Sequence, residues 1–127
     1  MISQRHETLF ARAVEMAQNG EHRVRVGAIA AIGNTQISGA FNTLRNSTLV
    51  EYGFQTTHAE MACLDMVSFA KRSKVTLYVA RIDANGKLRP SFPCERCLKS
   101  IMSQQIKDVV FWNGTLKMRV SSHLNQP

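Results

Sequence analysis

Val75-Thr76-Leu77-Tyr78-Val79-Ala80 is a six-residue run of apolar and β-branched side chains, and by length and branching it reads as a buried strand. Such a strand needs cover, and the sequence supplies helical patterns on either side of it. Upstream, Thr57 can cap a helix over residues 58–69, in which Ala59, Ala62, Cys63, Met66, Val67 and Ala70 recur at helical spacing as a core face. Downstream, residues 81–92 read as a loop turning at Ala84-Asn85-Gly86. Pro93 then opens a short helix, at a position where its missing amide is no loss. That helix carries Cys94, Cys97, Leu98, Ile101 and Met102.

Working outward, residues 3–18 place Leu9, Phe10, Ala13, Val14 and Ala17 on one stripe, with Ser3 as N-cap and Asn19-Gly20 as the stop. Two β-like runs, 24–32 and 35–41, flank a tight turn at Gly33-Asn34. Residues 42–57 form a polar stretch, long for a connection, and are expected to be a substrate-facing loop. Val109-Val110-Phe111-Trp112 is a strand, Asn113-Gly114 a type I′ turn, and 115–120 the return strand. The tail, 121–127, is expected to fray. The resulting order of helix, hairpin, helix, strand, helix, hairpin predicts an α/β fold with one mixed sheet of about five strands and helices on its faces. No repeat or boundary interrupts it, so residues 1–127 are expected to form a single domain.

At 127 residues the chain can bury a sizeable core, and 44% apolar with 20% charged residues indicates a folded globule. No apolar run is long enough to cross a bilayer, and the N-terminus has no apolar segment of the signal-peptide kind. Both absences point to the cytoplasm. The balance of 16 Lys+Arg against 9 Asp+Glu, net +7, suits an anionic partner, either a nucleotide phosphate or a nucleic-acid strand, or a surface that is simply basic. Of three cysteines, Cys94 and Cys97 have C-x-x-C spacing, which in a reducing compartment favours a metal or redox site over a structural disulfide.

Taken singly, His58 is a polar residue at a helix start, and Cys94-Glu95-Arg96-Cys97 is a redox pair or two buried thiols. Together they say more. Both groups stand at helix N-termini, where unpaired amides favour thiolate. One histidine and two cysteines give three ligands of the kind zinc takes, with a fourth position left for water. A neutral imidazole and two thiolates also roughly cancel the metal charge. Glu60, two residues on, points about 200° round a helix from His58. It is therefore read not as a ligand but as a carboxylate near a metal-bound water. Cys63 falls on the core face and reads as a small buried hydrophobe. His6, His22 and His123 lack ligand spacing and are expected at the surface.

His58-Ala59-Glu60 followed by Pro93-Cys94-Glu95-Arg96-Cys97 resembles the zinc-dependent cytidine/deoxycytidylate deaminase superfamily, whose signature is H-x-E…P-C-x-x-C. Val26-Gly27-Ala28 resembles that family's V-G-A segment under the base, and Gly39-Ala40-Phe41-Asn42 the G-[YFW]-N end of its second strand. The resemblance implies a three-layer αβα cytidine deaminase-like fold and hydrolytic deamination. It implies one Zn2+ per chain on His58, Cys94 and Cys97, with Glu60 moving protons from water to the ring and then to departing ammonia. It also implies that the Ala59 amide and the carbonyl of Ser91 or Phe92 orient the base, and that Asn42 contacts the sugar. Phe41 and Phe92 are candidate stacking partners, and each is equally readable as core.

The family divides by its last strands. Members acting on deoxycytidylate, tRNA adenosine or single-stranded DNA usually have them parallel. Trp112-Asn113-Gly114-Thr115 allows only a hairpin, so here they are expected to be antiparallel, as in free-nucleoside deaminases. Those enzymes, however, often have Cys where this chain has His58. The leading expectation is a deaminase of a free cytosine nucleoside or nucleotide, with Arg45, Lys87 or Arg89 as candidates to meet a 5′-phosphate, each taken singly reading rather as a solvated loop charge. The alternatives are a nucleic-acid-editing deaminase and a zinc-stabilised binding module without catalysis. Family members commonly form homo-oligomers.

Overall fold

The computed structural model describes residues 2–20, 23–46 and 54–120. Helix α1 (Gln4–Ala17) is followed by the hairpin β1 (Arg25–Ile32) and β2 (Thr35–Phe41). A two-stranded ribbon comes next, β3 (Thr43–Asn46) with β4 (Phe54–Thr57), and then α2 (Ala59–Asp65) and a 3-10 turn, Phe69–Lys74. Strand β5 (Thr76–Ile82), the short β6 (Leu88–Arg89), α3 (Glu95–Ser103), β7 (Asp108–Trp112) and β8 (Leu116–Val120) complete the chain. The main sheet runs β2-β1-β5-β7-β8, with β6 on the end of β5. Strands β5 and β7 are parallel, joined through α3, whereas β7 and β8 form the expected antiparallel pair.

Alternation on the central strands sorts the core into two layers. Ile29, Ala31, Tyr78, Ala80 and Val110 pack against Leu9, Phe10 and Ala13 of α1. Ala28, Ala30, Leu77, Val79, Val109 and Phe111 pack on the other face against Ala59, Cys63 and Leu64 of α2 and Ile101 of α3. A sheet covered on both faces requires apolar side chains at consecutive positions, which is why the central strand reads as an unbroken run. Gly27 marks where α1 lies closest to the sheet. A Cβ there would run into the Ala13 carbonyl and the Ala17 amide.

Several expected boundaries move, each for a local reason. Pro93 precedes α3 rather than opening it, because Cys94 takes the N-cap with extended backbone (φ −66°, ψ 165°). His58, not Thr57, is the N-cap of α2 (φ −73°, ψ 135°). That helix stops at Asp65, so Met66 and Ala70 are exposed instead of facing the core. Arg72 closes its end, donating from Nε to the Val67 carbonyl (3.2 Å) and from a terminal nitrogen to that of Leu64 (3.4 Å). The long polar loop carries the β3–β4 ribbon at its ends. Asn113-Gly114 is not a type I′ turn, which needs positive φ at both residues. Only Gly114 has it (φ 85°), and the strands are joined by three residues, pairing Trp112 with Leu116. His6 is buried, not at the surface. His22, His123 and the tail 121–127 lie outside the described residues.

Candidate metal centre

Two helix starts build the site. An N-cap residue is extended, so the helical-wheel angle between His58 and Glu60 does not apply. An N-cap side chain lies over the first turn of its own helix, and His58 and Glu60 line one cavity. The same geometry sets Cys94 beside Cys97, since an N-cap side chain lies over the third residue of its helix. The imidazole Nδ1 of His58 is 3.3 Å from Cys97 Sγ and 3.7 Å from Cys94 Sγ. All three candidate ligand atoms lie within 4.8 Å of one another. A tetrahedral zinc with Zn–S near 2.3 Å and Zn–N near 2.05 Å separates its N and S ligands by roughly 3.5 Å, and the two distances bracket that value. Cys97 is buried and Cys94 exposed, so the trio is closed on the core side and open toward the cavity. Burial, and then the neighbouring Glu60 charge, push the Cys97 thiol up. A divalent cation is the counter-charge that would hold it as thiolate. The donor set fits zinc.

The cavity encloses about 420 Å³ and is lined by Val24, Val26, Val79 and Phe92, by the site residues His58, Ala59, Glu60 and Cys94, and by Asn42, Arg81 and Ser91. It lies at the carboxyl end of β5, where sheets of this kind place their ligands. Glu60 is 6% exposed. Burial raises its carboxyl, opposed by its own backbone amide, by the positive charges of His58 and Arg81, and by Cys97.

Asn42 is buried and fully braced. Its Oδ1 accepts the Val26 amide (2.8 Å), its Nδ2 donates to the Val24 carbonyl (3.0 Å), and its own amide donates to the Val26 carbonyl (3.0 Å). The Ser91 hydroxyl donates to the Val79 carbonyl (2.7 Å) and accepts the Trp112 amide (2.9 Å), fixing the segment before the cysteines. Phe92 meets Phe111 edge-on, centroids 5.0 Å apart, and remains 37% exposed. Phe41 does not line the cavity; it ends β2 opposite Gly27. Arg45 lies on β3, with its side chain outside the description. Cys63 is buried against Ser38 (Sγ to Oγ 3.1 Å), its thiol pushed up to about 11 by burial. Arg81 had no sequence signal, because a lone arginine at a strand end has no diagnostic spacing.

The family model of the cytidine and deoxycytidylate deaminase zinc-binding region matches residues 3–113. The cytidine deaminase of Burkholderia pseudomallei is similar in structure, with a TM-score of 0.68, 16% identity, and 94% of each chain covered. That of Mycobacterium leprae has a TM-score of 0.61 at 17% identity, over 95% of this chain and 97% of the other. The dCMP deaminase of cyanophage S-TIM5 has a TM-score of 0.60 at 22% identity, over 86% and 81%. No curated protein matches the chain significantly. With the family match spanning most of the chain and the ligand trio assembled in one place, the protein belongs to the cytidine and deoxycytidylate deaminase family.

Proposed function

We propose that the protein is a zinc-dependent hydrolytic deaminase that converts the cytosine base of a free nucleoside or nucleotide to uracil with release of ammonia. The observation that carries this is a cavity lined by His58, Cys94 and the buried carboxyl of Glu60, with the Cys97 donor grouped with His58 and Cys94 within 4.8 Å. Zinc held by His58, Cys94 and Cys97 would supply a Lewis acid and an activated water. Glu60 holds the proton between steps. Its burial favours the protonated form while the Arg81 cation favours the ionised one, opposing influences on a group that must accept a proton and give it back. It would take the proton of the attacking water, deliver it to the ring nitrogen, and assist the amine as it leaves.

Ala59 opens α2, so its amide has no acceptor within the helix and is available to the base carbonyl. A main-chain carbonyl of Ser91 or Phe92 would receive the exocyclic amine. Phe92 offers an aromatic face, while Val26 and Val79 make the cavity wall apolar and limit water. Asn42 shapes the wall by fixing residues 24–26, on the side where the sugar would lie. A nucleotide substrate is in keeping with a structural neighbour, the cyanophage dCMP deaminase, described in complex with dCMP and dUMP.

The purified protein is expected to carry about one zinc per chain and to release ammonia from a cytosine nucleoside or nucleotide. Glu60→Ala should retain the metal while losing at least about 100-fold in turnover. Elemental analysis alongside the ammonia assay decides it: loss of zinc in that variant would make Glu60 a ligand and overturn the mechanism.

A further inference from the structure

Resting on the deaminase reading, we propose that Arg23 and Arg81 form a phosphate subsite at the mouth of the cavity, so that the substrate is a nucleoside 5′-monophosphate rather than a nucleoside. A second depression, of about 550 Å³, shares Val24 and Arg81 with the metal cavity and is lined further by Arg23, Asp83, Arg89 and Pro90. Its charges are not equivalent. Asp83 accepts the amides of Asn85 (2.9 Å) and Lys87 (3.0 Å) on one oxygen and Arg89 Nε (3.2 Å) on the other, so acid and base there are already engaged. Arg25, beside it, donates to the Asp83 carbonyl (3.0 Å). Arg23 and Arg81 are exposed, and neither has an ion-pair partner among the described residues.

The strand supplies the spacing. Val79 and Arg81 both line the metal cavity, as alternate residues on one face of β5, a step of roughly 6.8 Å outward along the strand. A pyrimidine held against Val79 beside Glu60 therefore leaves room for one sugar ring before the guanidinium. Val24, common to both depressions, borders the path, and Arg23 precedes it in the chain. Two guanidinium forks with no ion pair among the described residues match a doubly charged phosphate monoester. A bare 5′-hydroxyl would offer neither a charge to meet.

The test compares kcat/KM of the zinc-loaded protein for dCMP, deoxycytidine, CMP, cytidine and a short oligonucleotide with one internal cytosine. The monophosphates are expected to exceed their nucleosides at least tenfold. Arg81→Gln and Arg23→Gln should each reduce that ratio by about 10- to 100-fold, the usual consequence of removing a charged hydrogen-bond partner, chiefly through KM, and Arg81→Lys should restore part of it. Equal use of nucleoside and nucleotide, a ratio unmoved by either variant, or preference for the oligonucleotide would overturn the subsite. Calorimetric titration with dUMP and deoxyuridine separates the two readings. Tighter, arginine-dependent binding of dUMP without ammonia release from any substrate would leave the subsite standing and remove the deaminase reading.

Discussion

Asn42 holds two strand-end residues with one side chain. Both its amide groups are committed to the backbone of Val24 and Val26, which border the cavity. Those bonds set where that wall stands, and Asn42 itself lines the cavity. Asn42→Ala should cost about 1–3 kcal/mol, because truncation removes the side-chain partner of the part-buried Val26 amide. Denaturant titration would show the loss, and an unchanged midpoint would mean that water replaces the bonds. The residue was legible in the sequence as a candidate by its place after Phe41, but its bracing role was not, since the partners lie 16 and 18 positions away. Phe41 itself was over-read. A partly buried aromatic at a strand end looks the same in sequence whether it faces the substrate or the interior.

Helix starts are the elements that build the candidate site, and each of the three α-helices among the described residues begins on an informative N-cap. At α1 the Ser3 hydroxyl accepts the His6 amide (3.4 Å), and the Ser3 amide donates to His6 Nδ1 (3.0 Å). That second bond needs an unprotonated Nδ1. Burial, followed by the charge of Arg5, holds the imidazole below its ordinary 6.5, against the opposing pull of Asp108. A depressed base is protonated more readily in the unfolded chain, so stability is complete above about pH 6.5 and falls as the pH drops from there toward the folded value. His6→Gln, which cannot titrate, should flatten the stability profile in that window. Equal slopes for the two proteins between pH 7 and 5 would be evidence against the capping role. At α2 and α3 the sequence singled out His58, Cys94 and Cys97, which lie close together in the structure, yet set the helix start one residue early at His58 and two at Pro93. Ligand chemistry is local and readable, whereas a single residue's change from extended to helical backbone depends on what the segment docks against.

For the whole molecule, a metal bound at the proposed site would act mechanically. His58 and Cys94 are 36 positions apart, and an ion bound by both joins the helix before β5 to the helix after it. Chelation should lower Tm by on the order of 10 °C, as for a ligand held at about a hundred times its dissociation constant, with recovery on adding zinc back. A Tm indifferent to chelator in protein shown by elemental analysis to be stripped would separate metal binding from stability. The layered architecture and the antiparallel last pair were readable from the order of periodic segments and from the short Trp112–Leu116 link. The β3–β4 ribbon was not, because polar residues without alternation carry no strand signal. Nor was Arg81, whose significance comes only from the neighbouring depression. No described helix is long and apolar enough to span a membrane.

Strands β5 and β7 pair only as far as Tyr78 and Val110, and Ser91 then fills the gap, bonded to Val79 on one side and Trp112 on the other. Upstream of that anchor, the turn at 83–87 is closed on itself by Asp83. The connection thus has two independent parts. The stretch that faces the mouth of the cavity can lengthen, shorten or change charge, while the anchored part keeps the cysteines in place. The cavity mouth is accordingly open to redesign by loop exchange between residues 82 and 90, with the segment that carries the cysteines left as a fixed chassis.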